Sequence, residues 1–427
     1  MLKLITLDPG HFHAALVQKS MYDGIDSNVY VYAAEGGDLQ EHLARISSYN
    51  NRADNPTKWN EVVYSGADFF EKMLQEKKGN VVVLAGNNQK KTEYIKASVD
   101  AGLNVLADKP MAINALDFEI LRQSFTDAAS KKLILYDLMT ERSEITTILQ
   151  RELSMNSALF GTLEKGTPEK PAVTKESVHH FYKYVSGSAL KRPAWFFDTE
   201  QQGEGIVDVT THLVDLIQWE CFPDEPIDYL KDIKINIAKR WPTSIMPSQF
   251  AEVTGLKSYP DFLQKELKDT ILNVFSNGEI NYTIKGVHAK VSVTWNYKAP
   301  EGTGDTHYSI MRGTKANLII KQGKEQNYKP VLYMEPVTSD QDFSRAVDSA
   351  MIRIQATYPG VTAINEGSEW KVNIPDQYKI GHEEHFAQVM KRFLDYMKNG
   401  NMPAWEVPNM LAKYYTTTRA FEMASDK

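Results

Sequence analysis

Val81-Val82-Val83-Leu84-Ala85-Gly86-Asn87-Asn88, then a helical stretch closing at Ala101-Gly102, then Asn104-Val105-Leu106-Ala107-Asp108-Lys109-Pro110, decides the fold of this chain. Two short β-branched runs enclose one helix, which is the pattern of a βαβ unit and hence of a parallel sheet. The pattern extends outward on both sides. Leu2 to Leu7, Val29 to Ala33 and Val62 to Tyr64 precede it and Leu133 to Tyr136 follows, all mostly apolar, as strands covered on both faces should be. Between them, Ser65-Gly66-Ala67-Asp68 reads as a capping box ahead of Phe69, Phe70 and Met73, and Ser47 to Asn60 reads as a surface excursion. The prediction is a doubly wound α/β domain over residues 1–140.

Beyond about Met155 the helices no longer alternate with strands one for one, so residues 141–427 form a second, α+β domain with a large, mostly antiparallel sheet. Asn277-Gly278 lies between Ile271 to Phe275 and Ile280 to Ile284 and predicts a hairpin turn. Val287, Ala289, Val291, Val293 and Trp295 alternate with polar residues and predict one buried strand face. Further strands are expected at Thr306 to Met311, Ala316 to Lys321 and Pro330 to Met334. Two amphipathic helices, Glu383 to Lys398 and Glu406 to Met423, flank the breaker Asn399-Gly400-Asn401-Met402-Pro403.

Composition narrows the function. A chain of 427 residues is too long for one ordinary domain. Lys and Arg number 48 against 55 Asp and Glu, a net charge of −7 without a basic stripe, so nucleic-acid backbone binding is not expected. The lone Cys221 excludes an internal disulfide and a four-thiolate zinc site. No apolar run reaches membrane-span length, so no membrane partner is expected; the expected location is cytoplasmic, or periplasmic if a leader has been removed. Aromatic residues make up 11%, including 21 Tyr and 7 Trp, which suits either a pocket for a polar ring-shaped ligand or an aromatic core.

Three stretches can carry chemistry. The turn after the first strand, Asp8-Pro9-Gly10-His11-Phe12-His13, stands where backbone donors would meet a pyrophosphate, but Gly10 is the only glycine left; on its own it reads as a plain strand-to-helix turn. His11 and His13, two apart with no Cys or acid nearby in sequence, read as loop chemistry, and no metal ligands are assigned. Glu35, 25 residues after Gly10, ends the second strand where a carboxylate would hold an adenosine ribose, although it reads equally as a solvated charge beside Asp38, a natural N-cap. In Gly203-Glu204-Gly205-Ile206-Val207-Asp208-Val209-Thr210-Thr211-His212-Leu213-Val214-Asp215, a helix would put Asp208 and His212 on one face, able to hold a hydroxyl and move its proton. A buried histidine on an apolar helix reads as well.

Asp108-Lys109-Pro110 and the turn at Asn87-Asn88 resemble the Glu-Lys-Pro and Thr-Pro-Asn signatures of the Gfo/Idh/MocA oxidoreductases, the glucose-fructose oxidoreductase and inositol dehydrogenase group. The segment from Gly203 to Asp215 resembles that family's Gly-Gly-Gly-x-x-x-Asp-x-x-x-His-x-x-Asp, Trp195-Phe196-Phe197-Asp198 its Trp-x-x-Asp lead-in, and Arg142 its Arg-containing turn. Two features depart from it, the reduced glycine turn and Lys91 in place of a histidine, while Pro223 to Lys268 reads as an insertion with a helix opened by Pro260.

The resemblance implies a Rossmann domain followed by a substrate domain, and a nicotinamide-dependent oxidoreductase acting on a hydroxyl or keto group of a sugar, glycoside or cyclitol. It implies catalytic roles for Lys109, His212 and Asp208, and cofactor contacts from Gly10, His11, Phe12, His13, Glu35, Asn87, Asn88, Asp108 and Lys109. Substrate contacts would come from Arg142, Trp195, Asp208 and His212. Glu35 favours NAD over NADP, because a carboxylate repels a 2′-phosphate. A homo-oligomer through the C-terminal sheet is expected. Two alternatives stay open: an NAD-retaining glycoside hydrolase or lyase, and a cofactor-free sugar-binding or regulatory protein.

Overall fold

The computed structural model describes residues 1–185, 188–301, 303–337 and 341–425. The chain divides into two units. The first comprises Met1–Thr140, Pro193–Gly203 and His382–Pro403; the second comprises Glu141–Arg192, Glu204–Gly381 and Ala404 onward.

The first unit is built on six parallel strands, β1 (Leu4–Leu7), β2 (Asn28–Tyr32), β3 (Asn60–Tyr64), β4 (Val81–Leu84), β5 (Asn104–Asp108) and β6 (Leu135–Leu138), in the order β3-β2-β1-β4-β5-β6. That is the Rossmann order, with its reversal of direction between β1 and β4. Leu4, Ile5, Val81, Val82, Val105 and Leu106 are fully buried, and each such side chain contributes roughly 1.5–3 kcal/mol. The edge strand β3 differs from its neighbours, since Val62 and Val63 are exposed.

The helices of this unit are α1 (His13–Val17), α2 (Gly37–Asn51), α3 (Phe69–Glu76), α4 (Asn88–Asp100) and α5 (Ala115–Ser130), joined by the short helix Thr199–Gln202 and by His382–Asn399 from far along the chain. Asn87 caps α4 by accepting from the Gln89 N–H, and Gly102 ends it at φ 86°, a left-handed conformation that favours glycine. The predicted capping box does not form, because the Asp68 carboxylate accepts instead from the Tyr64 hydroxyl at 2.6 Å. Residues 47–51 belong to α2, whose Leu39 and Leu43 pack with Val31 and Ala33, so the surface excursion is shorter than predicted.

The second unit holds a ten-stranded sheet among the described residues. Its order is Ile233–Ile245, Ile271–Ile284, Val287–Lys298, Val173–Tyr182, Thr306–Arg312, Ala316–Gln322, Val331–Pro336, Trp370–Asn373, Thr362–Asn365, with Leu267–Lys268 beside Ile271–Ile284. Every pairing is antiparallel except that of Val173–Tyr182 with Val287–Lys298. Val287, Ala289, Val291, Val293 and Trp295 are all buried, as the alternation predicts. The helices Ile145–Ser154, Thr210–Cys221 and Glu406–Ser425 pack on this sheet. The expected insertion supplies the 13-residue strand Ile233–Ile245 and the helix Pro247–Thr254, and Pro260 opens only a 3-10 turn, Asp261–Glu266.

Asn277-Gly278 is not a turn. It lies inside the unbroken 14-residue strand Ile271–Ile284, opposite Trp241 and Arg240. The two-residue turn is Lys285-Gly286, with φ of 48° and 78°, the pairing of positive φ values that a tight hairpin requires. Gly278 serves close approach instead: a Cβ there would stand 2.6 Å from Cα of Ile206. Asn277 is buried, donating to Trp241 O and accepting from the Trp295 N–H at 2.6 Å. Among the described residues no helix is long and apolar enough to cross a membrane.

Candidate active site

In the first unit the predicted cofactor residues gather at the C-terminal ends of β1, β2, β4 and β5. The turn after β1 begins at Asp8, whose φ of 49° takes up the left-handed conformation that the missing first glycine would supply. Gly86, after β4, presses on this turn, and a Cβ on it would stand 2.2 Å from Asp8 O. Gly10 is less tightly enclosed, with the side-chain atoms Asp38 Oδ2 at 3.0 Å and Trp195 Cζ2 at 3.2 Å from the place of a Cβ. The turn's own donors face inward, Gly10 N–H to Asp8 O, His11 N–H to Ala85 O and His13 N–H to His11 Nδ1.

His13 fills the place of the third glycine. It is buried, and its Nδ1 lies 2.8 Å from Asp108 Oδ2, while Nδ1 of the half-buried His11 lies 3.7 Å from the same oxygen. Asn88 Nδ2 donates to Gln202 O and Asn87 Nδ2 to Gln201 Oε1, fastening the helix Thr199–Gln202 to α4. Buried Lys91 donates to Asn88 Oδ1 and to Asp108 O. Glu35 is exposed beyond β2, and the adjoining Gly36 and Gly37 have open space where a Cβ would be. Lys109 follows β5, half-buried.

Trp195 also belongs to this unit. Its indole N–H donates to Asp38 Oδ2 at 2.9 Å, so the structure brings it to the β1 turn. Asp38 is not the N-cap of α2, a position Gly36 takes; it lies in the first helical turn, with burial raising its carboxyl above the ordinary range.

In the second unit, tight packing sets the segment carrying Asp208 and His212. Gly205 lies against the strand Ile271–Ile284, where a Cβ would meet Ser276 O at 1.8 Å. The helix starts only at Thr210, so Asp208 belongs to the turn before it while His212 is in the helix's first turn. Asp208 is buried and His212 half-buried.

Further along, Asp215 is fully buried. Arg142 meets it with both Nε (2.7 Å) and Nη2 (2.6 Å), and Lys413 adds a contact of 2.9 Å. Burial opposes ionisation of Asp215, but the two cations outweigh it and hold the carboxyl well below its usual range. Arg142 also reaches Glu406 at 3.0 Å, so this buried guanidinium anchors the His212 helix rather than presenting itself to a small molecule. Glu204, buried beside Arg240, has its carboxyl pushed up to about 7 by burial against the pull of that cation.

A polar cluster that the motifs did not reveal surrounds Arg192. Its Nε donates to Phe181 O and its Nη2 to His180 O, and its guanidinium lies 5.2 Å from the Trp295 ring centroid. Burial brings Arg192 down to about 10, against the fields of Asp305 and Asp208. Asp305 takes Nδ1 of His180 at 2.9 Å and Nζ of Lys183 at 2.9 Å. Burial works to raise Asp305, yet bonds from His179 and His180 and the Lys183 charge hold it well below the carboxylate range. The available signal was the pair His179-His180 beside Phe181; Asp305, over a hundred residues away, left none.

The family model described as "Putative oxidoreductase C terminal domain" matches residues 149–425, and that described as "Oxidoreductase family, NAD-binding Rossmann fold" matches residues 28–136. The chain belongs to the Gfo/Idh/MocA oxidoreductase family. It is 58% identical to a solved protein described as a putative oxidoreductase from Parabacteroides merdae ATCC 43184, covering 100% of this chain and 98% of that one, with a TM-score of 0.98. The fold is shared, at 12% identity and a TM-score of 0.62, with levoglucosan dehydrogenase solved with NADH and levoglucosan, covering 100% of this chain and 97% of that one. A protein described as a putative myo-inositol dehydrogenase from Sinorhizobium meliloti 1021 shares it at 13% identity and a TM-score of 0.55, with 100% and 98% covered. A comparison with curated proteins finds no match.

Proposed function

We propose that this protein is a nicotinamide-dependent oxidoreductase that interconverts a hydroxyl and a keto group on a sugar, glycoside or cyclitol. The observation that carries the reading is the crevice of the first unit at the β1/β4 reversal, where Gly10 and Gly86 bring two turns backbone to backbone and Lys109 follows β5. Two features support a dinucleotide there: Asp8 keeps the left-handed start of the turn, and Gly86, where a Cβ would strike Asp8 O, lets the β1 and β4 turns meet. The residues that would hold it are Gly10, His11, Phe12, His13, Asn87, Asn88, Asp108 and Lys109, with Glu35 on the adenosine ribose. The Glu35 carboxylate supports NAD over NADP.

When bound, the nicotinamide supplies hydride transfer to or from a substrate carbon. The chain supplies proton management. In this reading the Lys109 ammonium stabilises negative charge on the reacting oxygen, the His212 imidazole takes or returns its proton, and Asp208 orients the polyol. Arg142 keeps the helix carrying His212 in place through Asp215. Trp195 contributes on the cofactor side through Asp38. Levoglucosan dehydrogenase and the protein described as a putative myo-inositol dehydrogenase, both sharing the fold, support a sugar or polyol substrate. A homo-oligomer through the face of the large sheet opposite Val287, Ala289 and Val291 completes the reading.

The test follows nicotinamide absorbance with a panel of sugars, glycosides and cyclitols, in both directions, using the full chain. Turnover of one class is expected, with Lys109→Ala and His212→Ala each lowering kcat by about a hundredfold or more while circular dichroism stays unchanged. Absence of turnover across the panel, or wild-type rates in both variants, contradicts the proposal.

A further inference from the structure

The pair His11 and His13 has no acidic neighbour in sequence, but it has one in space. β1 and β5 are not adjacent, since β4 lies between them. β4 is followed by Gly86, which has no side chain to keep the β1 turn away. Over that gap the turn meets Asp108, the last residue of β5, with its Oδ2 at 2.8 Å from His13 Nδ1 and 3.7 Å from His11 Nδ1. The two imidazole rings stand 4.1 Å apart at 83°, and the three ligand atoms lie within 4.8 Å of one another. Ions bound at about 2.0–2.2 Å hold their ligand atoms roughly 3.0–3.5 Å apart. The two separations to Asp108 already stand near that range, and the remaining one, at no more than 4.8 Å, has to close by about an ångström.

We propose that His11, His13 and Asp108 form a two-histidine, one-carboxylate site for a divalent transition-metal ion. A hydrogen bond between His13 and Asp108 alone would account for the 2.8 Å contact. It does not include the second imidazole, His11, whose Nδ1 lies 3.7 Å from the same oxygen and makes a long contact of 3.4 Å with the His13 backbone N–H. A cation would draw both imidazole nitrogens and the carboxylate oxygen onto one centre.

The surroundings are those of a prepared site. Asp108 and His13 are 4% and 8% exposed, and Lys91 fixes the end of β5 through Asp108 O at 3.0 Å. Phe386, with its ring centroid 4.7 Å from that of His13, backs the imidazole. His11, half-buried, leaves one side open. Three protein ligands leave coordination positions for an oxygen of a bound molecule, as in sites that bind or activate ligands. Imidazole and carboxylate without thiolate select zinc, iron(II), cobalt(II) or manganese(II) rather than copper(I). The inference stands on this cluster alone and does not depend on dinucleotide binding.

The test uses the full chain stripped with EDTA, titrated with cobalt(II) followed by visible absorption and with zinc(II) followed by calorimetry. One equivalent per chain is expected, with ligand-field bands of an imidazole-carboxylate site. Asp108→Asn and His13→Ala should weaken binding by about a hundredfold, and His11→Ala by about tenfold or more. His11, the more exposed ligand, is the variant least able to disturb folding, which the unfolding midpoint of the metal-free protein checks. No saturable binding at millimolar metal overturns the proposal. So does wild-type affinity in His11→Ala, which would put the ion elsewhere.

Discussion

Gly278 and Ile206 are in backbone contact, such that a Cβ on the glycine would stand 2.6 Å from Cα of Ile206 and 2.9 Å from its N. This approach seats the segment that leads into Asp208 and His212 on the large sheet. Gly278→Ala should therefore destabilise the second unit by roughly 1–3 kcal/mol and lower kcat, because backbone cannot yield as a flexible side chain does. Urea unfolding and turnover measure both effects. A variant with native stability and rate would show that the contact does not set the site.

The pairing of Arg142 with Asp215 gives a second prediction. Both are almost fully buried, and Asp215 also holds Lys413. Asp215→Ala leaves two buried cations without their shared carboxylate and should cost about 3–5 kcal/mol of stability. Replacing an exposed pair such as Arg345 and Asp342 should change stability by less than about 1 kcal/mol. Equal effects at the two places would contradict the assignment of the buried cluster as the anchor of the His212 helix.

Glu204 predicts a dependence on pH. Its carboxyl is pushed up to about 7 from an ordinary value of 4.5, first by burial. Between these values the native state binds more protons than the unfolded chain, so this residue's contribution to stability falls as pH rises from about 4.5 to 7. Denaturation midpoints across that range should decline more steeply in the wild type than in Glu204→Gln. Parallel pH profiles would remove Glu204 as the cause.

Much of the first unit was legible because each strand is a short apolar run with a helix between, so periodicity alone orders the sheet. Asp108 and Lys109 could be placed at a strand end in the same way. Asn277-Gly278 misled, because the dipeptide that favours a hairpin also suits a strand where another backbone must come close, and only Ile206, distant in sequence, reveals which applies. The Asp68 cap failed for a comparable reason, a competing hydroxyl from Tyr64. The cluster of His11, His13 and Asp108, like that of Arg192 and Asp305, depends on residues about a hundred or more positions apart. Local spacing carries no information about such meetings.

Dinucleotide binding by the first unit is open to direct weighing, by native mass spectrometry of the freshly purified, EDTA-treated full chain titrated with NAD. One NAD per chain is expected, retained or saturating below millimolar concentration. A spectrum without bound dinucleotide at millimolar NAD or NADP would rule out the proposed oxidoreductase.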